Sequence, residues 1–275
     1  MAQTEQSWEN EREACVDSTT ERFALLKESK LAVITERLIG VLLWPSETFE
    51  SINRRPTWLA AIVIATSGVI FGNLFFNWRV NPDWEQLTRA RTMERTQSTG
   101  EQVTPEELER QVAISKTVAG YFTALPIILV PATCFFLATL FTFGFKLLSH
   151  TEVSFRKILS VVAWSSAATK LAATILLIAI LLARSRDSLE GYDPARSSLL
   201  LSNLAFVLPQ DAAATVKSLF YSLDIISIWY LILLTIGFAA IAGTRKIRTA
   251  QIFTLVFGLW AAWVFVKVGL AGILG

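Results

Sequence analysis

Histidine and cysteine are almost missing from this sequence: His150 is the single histidine, and Cys15 and Cys134 are the two cysteines. One cysteine stands in a polar amino-terminal stretch and the other inside an apolar run, so they cannot bridge. A lone histidine without cysteine or carboxylate neighbours makes neither a metal site nor a catalytic triad. No disulfide framework, metal or other cofactor is therefore expected. Charge is scarce as well: 17% of the 275 residues are charged and the net charge is +2, too small and too dispersed for nucleic acid. Clustered carboxylates or a nucleophile beside one interface, which an enzyme would need, are also missing.

What the chain has instead is apolar sequence, 53% of all residues, gathered into long runs rather than spread at helical or strand spacing. Residues 121–145 hold no charge at all. Runs of this kind predict helices that cross a bilayer, at about 57–78, 121–148, 158–183, 219–243 and 251–270. The first of them spans about 33 Å at the helical rise, enough for a hydrocarbon core of about 30 Å. The expected fold is all-α, a polytopic membrane protein with five transmembrane helices preceded by an amphipathic interfacial helix. Trp58 and Trp78 stand where interfacial anchors belong.

The segments outside these runs carry their own signals. Residues 1–22 hold Glu5, Glu9, Glu11, Glu13, Asp17 and Glu21 against Arg12 and Arg22. That start lacks the basic, then apolar, order of a cleavable signal peptide and has too little to bury, so a disordered tail is expected. Residues 23–56 form the interfacial segment, in which Leu31, Ile34, Leu38, Val41 and Leu42 recur at threes and fours and predict a helix lying on the membrane surface. Pro45 stops that helix and Ser46 can cap a short new one. Asn81 before Pro82, and Thr104 before Pro105 with Glu107 three residues on, read as helix starts. Pro126 and Pro131 should kink the second crossing. Leu199 to Leu208 is too short to span and reads as an interfacial or loop helix. Arg54, Arg55, Lys146, Arg156, Lys157, Arg245, Lys246 and Arg248 border one side of the membrane. Such a bias places the amino terminus in the cytoplasm and the carboxyl terminus outside.

Several of these stretches resemble a known family. Leu42-Leu43-Trp44-Pro45-Ser46-Glu47-Thr48-Phe49-Glu50 followed by Arg55-Pro56-Thr57-Trp58-Leu59 is similar to the opening motif of the Yip (Ypt-interacting protein) domain family in its prokaryotic form. Ser154-Phe155-Arg156-Lys157-Ile158-Leu159-Ser160-Val161 and Leu223-Asp224-Ile225-Ile226-Ser227-Ile228-Trp229-Tyr230, with Gly237 beyond, continue the match in order. The resemblance implies an amino terminus inside and, in the prokaryotic form, a bacterial cytoplasmic membrane. Eukaryotic members partner small Rab-type GTPases through an aspartate-leucine-any-glycine-proline signature that this chain lacks, so that role does not transfer. Where many relatives place a proline in the third helix, this chain has Trp164-Ser165-Ser166-Ala167.

Lys170 is the most unusual residue. It lies about 18 Å from either end of its expected helix, and an ionisable group at that depth costs about 3 kcal/mol or more unless it faces a polar cavity or a partner. Asp224 and Lys267 sit at similar depth beneath the opposite surface and could pair, although Lys267 near a helix end can also reach water directly. Lys170, Asp224 and Lys267 are the candidate intramembrane polar site. Small residues at Ala163 with Ala167, Ala239 with Gly243 and Gly258 with Ala262 predict close helix packing. Two functions follow: a non-enzymatic organiser of membrane or partner proteins, or a small transporter or channel around Lys170 and Asp224, marked by a polar cavity reaching Lys170. Membrane lipids, proteins at the cytoplasmic face and further copies of the chain are the partners this arrangement allows.

Overall fold

Proline and glycine punctuate a chain that is otherwise helical. The computed structural model describes residues 31–99, 103–149, 153–189, 192, 199, 202–209, 212–243 and 248–274. The expected tail 1–22 and residues 23–30 of the interfacial segment lie outside them. Among the described residues there are ten α-helices and no strand: α1 at residues 31–43, then α2 Pro45–Arg54, α3 Leu59–Val80, α4 Trp84–Thr99, α5 Pro105–Phe122, α6 Pro126–Ser149, α7 Phe155–Ala183, α8 Ala214–Ser222, α9 Ile225–Ala242 and α10 Thr249–Leu274. Five of them, α3, α6, α7, α9 and α10, are long and apolar enough to cross a bilayer.

α7 is the centre of the bundle. Every residue from Ile158 to Thr169 is buried, which a helix shows only when neighbours cover all its faces. α3, α6, α9 and α2 pack on it. Lipid tails are as apolar as leucine, so close approach and interhelical hydrogen bonds must supply the attraction. Ala61, Ala65, Gly68 and Gly72 provide it as a buried small-residue face of α3. A Cβ added at Gly72 would lie 3.2 Å from Thr174 Cγ2, and the Thr174 hydroxyl donates to the Gly68 carbonyl at 3.3 Å. Trp164 is fully buried, and its Nε1 donates to the Thr57 carbonyl at 2.6 Å. The Gly258 and Ala262 pair, by contrast, faces outward.

The second crossing is broken rather than kinked. α5 ends at Phe122, residues 123–125 form a turn, and Pro126 opens α6 as its first residue. Proline without an N–H fits a helix start and clashes with the carbonyl four residues back. Freed polar groups at membrane depth need protein partners, and α3 supplies them. Asn77 Nδ2 donates to Thr123 Oγ1 at 3.2 Å, and Asn73 Nδ2 reaches the Phe122 carbonyl at 3.5 Å. Pro131 stays inside α6.

Other ends show how local chemistry resolves. Asn81, at φ 45°, closes α3 in the left-handed region instead of starting α4, whose cap is Asp83: its Oδ1 accepts from the Glu85 and Gln86 amides at 3.1 Å each. Thr104 caps α5 by accepting from the Glu107 amide at 3.2 Å. Arg79 donates to the carbonyls of Leu181 at 3.2 Å and Arg184 at 2.7 Å, covering the exposed end of α7. Between α3 and α6, α4 and α5 form a polar hairpin in which Arg89 pairs with Glu85 at 3.1 Å and Glu109 at 2.7 Å. Hydrogen bonds from Lys116 and then Arg89 hold the Glu85 carboxyl below its usual range.

Candidate functional site

The expected surface helix meets the bundle rather than the membrane with its apolar stripe. Val41 is fully buried, and Ile34, Leu38 and Leu42 pack on the main core, while Leu31 is 55% exposed. The reason is the elbow at Pro45: α1 and α2 join tightly enough that a Cβ on Gly40 would overlap the Thr48 hydroxyl, and Phe49 and Ile52 of α2 enter the same core. The outward apolar residues are Val33, Ile39, Leu43 and Trp44. Arg37 is drawn in with the stripe, 6% exposed, donating from NH1 to the Thr57 hydroxyl while its Nε has no partner. Burial lowers the Arg37 pKa, Glu36 opposes that shift and Arg55 adds to it.

Lys170 and Asp224 line one cavity. Its volume is about 420 Å³, and its walls are Thr133, Cys134 and Leu137 of α6, Ser166, Thr169, Lys170 and Ala173 of α7, and Asp224, Ile226, Ser227 and Tyr230 at the start of α9, with Ser202 from the preceding loop. Helical spacing explains the α7 wall: residues at threes and fours share a face. The space is roomy and polar enough for several waters. It also lies within the ordinary range of small-ligand pockets, about 300–1,000 Å³.

Each charge in this cavity is incompletely matched. Asp224 caps α9: its Oδ2 accepts from the Ser227 amide at 3.0 Å and the Ser227 hydroxyl at 2.9 Å. Its backbone is tied to the loop, the Ile225 amide donating to the Ser202 carbonyl at 2.8 Å. The other carboxylate oxygen, Oδ1, is buried and has no hydrogen bond. Among the described residues the Lys170 ammonium has neither an ion pair nor a hydrogen bond, and the Tyr230 hydroxyl is likewise without a partner. Lys170 and Asp224 thus share a cavity without touching.

Lys267 is outside this group. Its ammonium donates to the Ser222 hydroxyl at 3.0 Å, and that hydroxyl donates in turn to the Ser218 carbonyl at 2.8 Å, joining α10 to α8. Farther along α6 and α9 three rings pack together: Phe238 meets Phe141 at 4.7 Å and Phe145 at 5.4 Å between centroids. The cavity's neutral polar members, Ser166, Thr169, Ser227 and Tyr230, were not singled out as site residues from the sequence. The available signal was helical spacing: Ser166 lies four residues before Lys170, Ser227 three after Asp224 and Tyr230 a further three on. Asn73 and Asn77 carried no such signal, because their partners lie on another helix.

A five-span bundle with a short helix wedged at one end and a polar cavity at the other defines an integral, multi-pass membrane protein. The family model for the Yip1 domain matches residues 39–268, and the chain belongs to that family. No curated protein and no solved structure matches it.

Proposed function

We propose that this Yip-family chain is a non-enzymatic membrane protein that holds a small charged ligand in the cavity between α6, α7 and α9. The observation that carries this reading is that Lys170 and Asp224 line one space of about 420 Å³ with no ion pair between them. Unpaired charges at membrane depth are costly, and where they persist they mark ligand or ion pathways. The small-transporter alternative rests on the same feature.

Lys170→Met is expected to leave a folded protein of equal or higher melting temperature, because removing an uncompensated buried charge relieves desolvation. It should also lose the small molecules that native mass spectrometry finds on the purified wild-type chain. Identical bound species on both proteins would end the ligand reading.

We orient the chain with its amino terminus in the cytoplasm and its carboxyl terminus outside, in a bacterial cytoplasmic membrane, on the strength of the basic residues that flank that side. The cavity then opens in the outer half of the bilayer. In a chain with Cys15→Ser and Cys134→Ser, an impermeant thiol reagent added outside should modify Ser98→Cys. Modification of Thr151→Cys instead would reverse the orientation.

A second reading, organisation of membrane or partner proteins at the cytoplasmic face, is supported by Ile39, Leu43 and Trp44, exposed on the side of α1 away from the bundle. A photo-crosslinking residue at Trp44 should capture lipid or a partner protein in intact membranes. Capture of neither would remove this reading.

A further inference from the structure

We infer that the ligand of this cavity is a zwitterion, with a primary ammonium at Asp224 and an anionic phosphate or carboxylate at Lys170. The inference rests on the cavity being a binding site and adds what that site recognises.

The cavity's own charge restricts what can bind in it. One cation and one carboxylate line it, and no ion pair joins them. An anionic ligand would neutralise Lys170 but leave Asp224 Oδ1 buried and unbonded, beside a new like charge. A cationic ligand would satisfy Asp224 and leave Lys170 bare. Only a ligand with both charges, spaced as the two side chains are, satisfies each group while bringing no net charge into the bilayer.

The neutral groups divide in the same way. The Tyr230 hydroxyl also lines the cavity and has no hydrogen bond among the described residues, a donor suited to an anion's second oxygen. At the Asp224 end the Ser227 hydroxyl donates a hydrogen bond to Oδ2, which leaves its own lone pairs to accept, and Oδ1 is an acceptor with no hydrogen bond. Acceptors of this kind need N–H donors. A primary ammonium has three, whereas a quaternary ammonium has none and would leave Oδ1 as unbonded as it is now.

The walls also say how such a ligand is placed. Leu137 of α6 and Ile226 of α9 border the polar floor, and Thr133 at the rim is exposed. α6 and α9 meet where Phe141 and Phe145 pack on Phe238, and nearer Asp224 the two helices contribute Thr133, Leu137 and Ile226 to the cavity wall. An aminophospholipid headgroup can enter there with its acyl chains remaining outside, and a free amino acid or phosphoethanolamine carries the same pair of charges.

The test uses the full chain, purified in detergent and stripped of lipid, with binding followed by native mass spectrometry and melting temperature. The probes are phosphatidylethanolamine, phosphatidylcholine, phosphatidylglycerol, free phosphoethanolamine and free glycine. Phosphatidylethanolamine or one of the free zwitterions is expected to bind at least about tenfold tighter than phosphatidylcholine. Lys170→Met and Asp224→Asn should each weaken that binding by about tenfold or more. Asparagine is as good a helix cap as aspartate, so an unchanged melting temperature for Asp224→Asn separates lost recognition from lost fold. Binding of the free zwitterions identifies a solute, and binding of the lipid alone identifies a headgroup; both support the inference. Phosphatidylglycerol bound as tightly as phosphatidylethanolamine, with no effect of Asp224→Asn, overturns the zwitterion while leaving an anion site in place. Binding of every probe that is indifferent to Lys170→Met, or no binding at all, overturns the site with it.

Discussion

Trp164→Ala is expected to destabilise the bundle by about 3 kcal/mol, the lower end of the range for emptying a buried tryptophan site in soluble cores. The lower end applies because lipid tails, not water, compete for the separated helices, so the cost is mostly lost contact and an orphaned hydrogen bond. Trp164 is fully buried where α7 is surrounded on all sides, and the cavity left behind cannot be filled by small movements of a close-packed centre. Its Nε1 also fixes the Thr57 carbonyl at 2.6 Å, just before α3 begins. Thr57 in turn holds Arg37 of α1 through its hydroxyl. Loss of the indole should therefore loosen α1 as well as the α3 and α7 pair. Detergent melting curves and amide exchange of residues 31–43 measure both effects. A loss below 1 kcal/mol, with α1 still protected, would show that the tryptophan is not a keystone of the bundle.

The second large effect comes from adding a single methyl group. A Cβ at Gly237 would lie 2.5 Å from Val161 Cγ1 and 3.1 Å from two ring atoms of Phe49. Val161 and Phe49 are both fully buried, and a β-branched side chain on a helix has one favoured rotamer, so neither neighbour yields freely. Gly237→Ala should cost about 1–3 kcal/mol as overpacking, against its gain in helix propensity. Gly258→Ala, on a face of α10 with nothing within 4 Å, should be neutral or stabilising by a few tenths of a kcal/mol. Val161→Ala, which shortens the obstructing side chain, should recover part of the Gly237→Ala loss when the two are combined. Equal melting temperatures for the two glycine variants would refute the close packing of α2, α7 and α9.

Much of this molecule was readable before any coordinate. The five membrane crossings follow from run length against bilayer thickness, and the Thr104 cap from a local pattern that needs no tertiary context. The depth of Lys170 within its run marked it as a residue needing a polar neighbour. Asn81 misled because a residue before proline can close the preceding helix as readily as open the next. Here the left-handed conformation was taken up at the end of α3, and Asp83 was left to cap α4. The amphipathic stripe of α1 was legible as a stripe, but amphipathicity does not say whether the opposing apolar surface is lipid or protein.

That distinction separates what the sequence by itself determined from what only the tertiary structure decided. The spanning runs, their approximate limits, the Thr104 cap and the buried charge are local properties, set by hydropathy, proline chemistry and short-range hydrogen bonds. The Ser46 cap did not form, because Pro45 is already the first residue of α2. Rotation about each helix axis is not local. The five spanning helices are apolar nearly all round, so their sequences do not say which face meets lipid and which meets a neighbour. The small-residue face of α3 against α7, the turning of Ile34, Leu38, Val41 and Leu42 onto the core, and the pairing of Lys267 with Ser222 rather than Asp224 were all settled by packing. The same packing set Lys170 of α7 and Asp224 of α9 across one cavity, because only the relative rotation and offset of two separate helices could bring those charges to a common space.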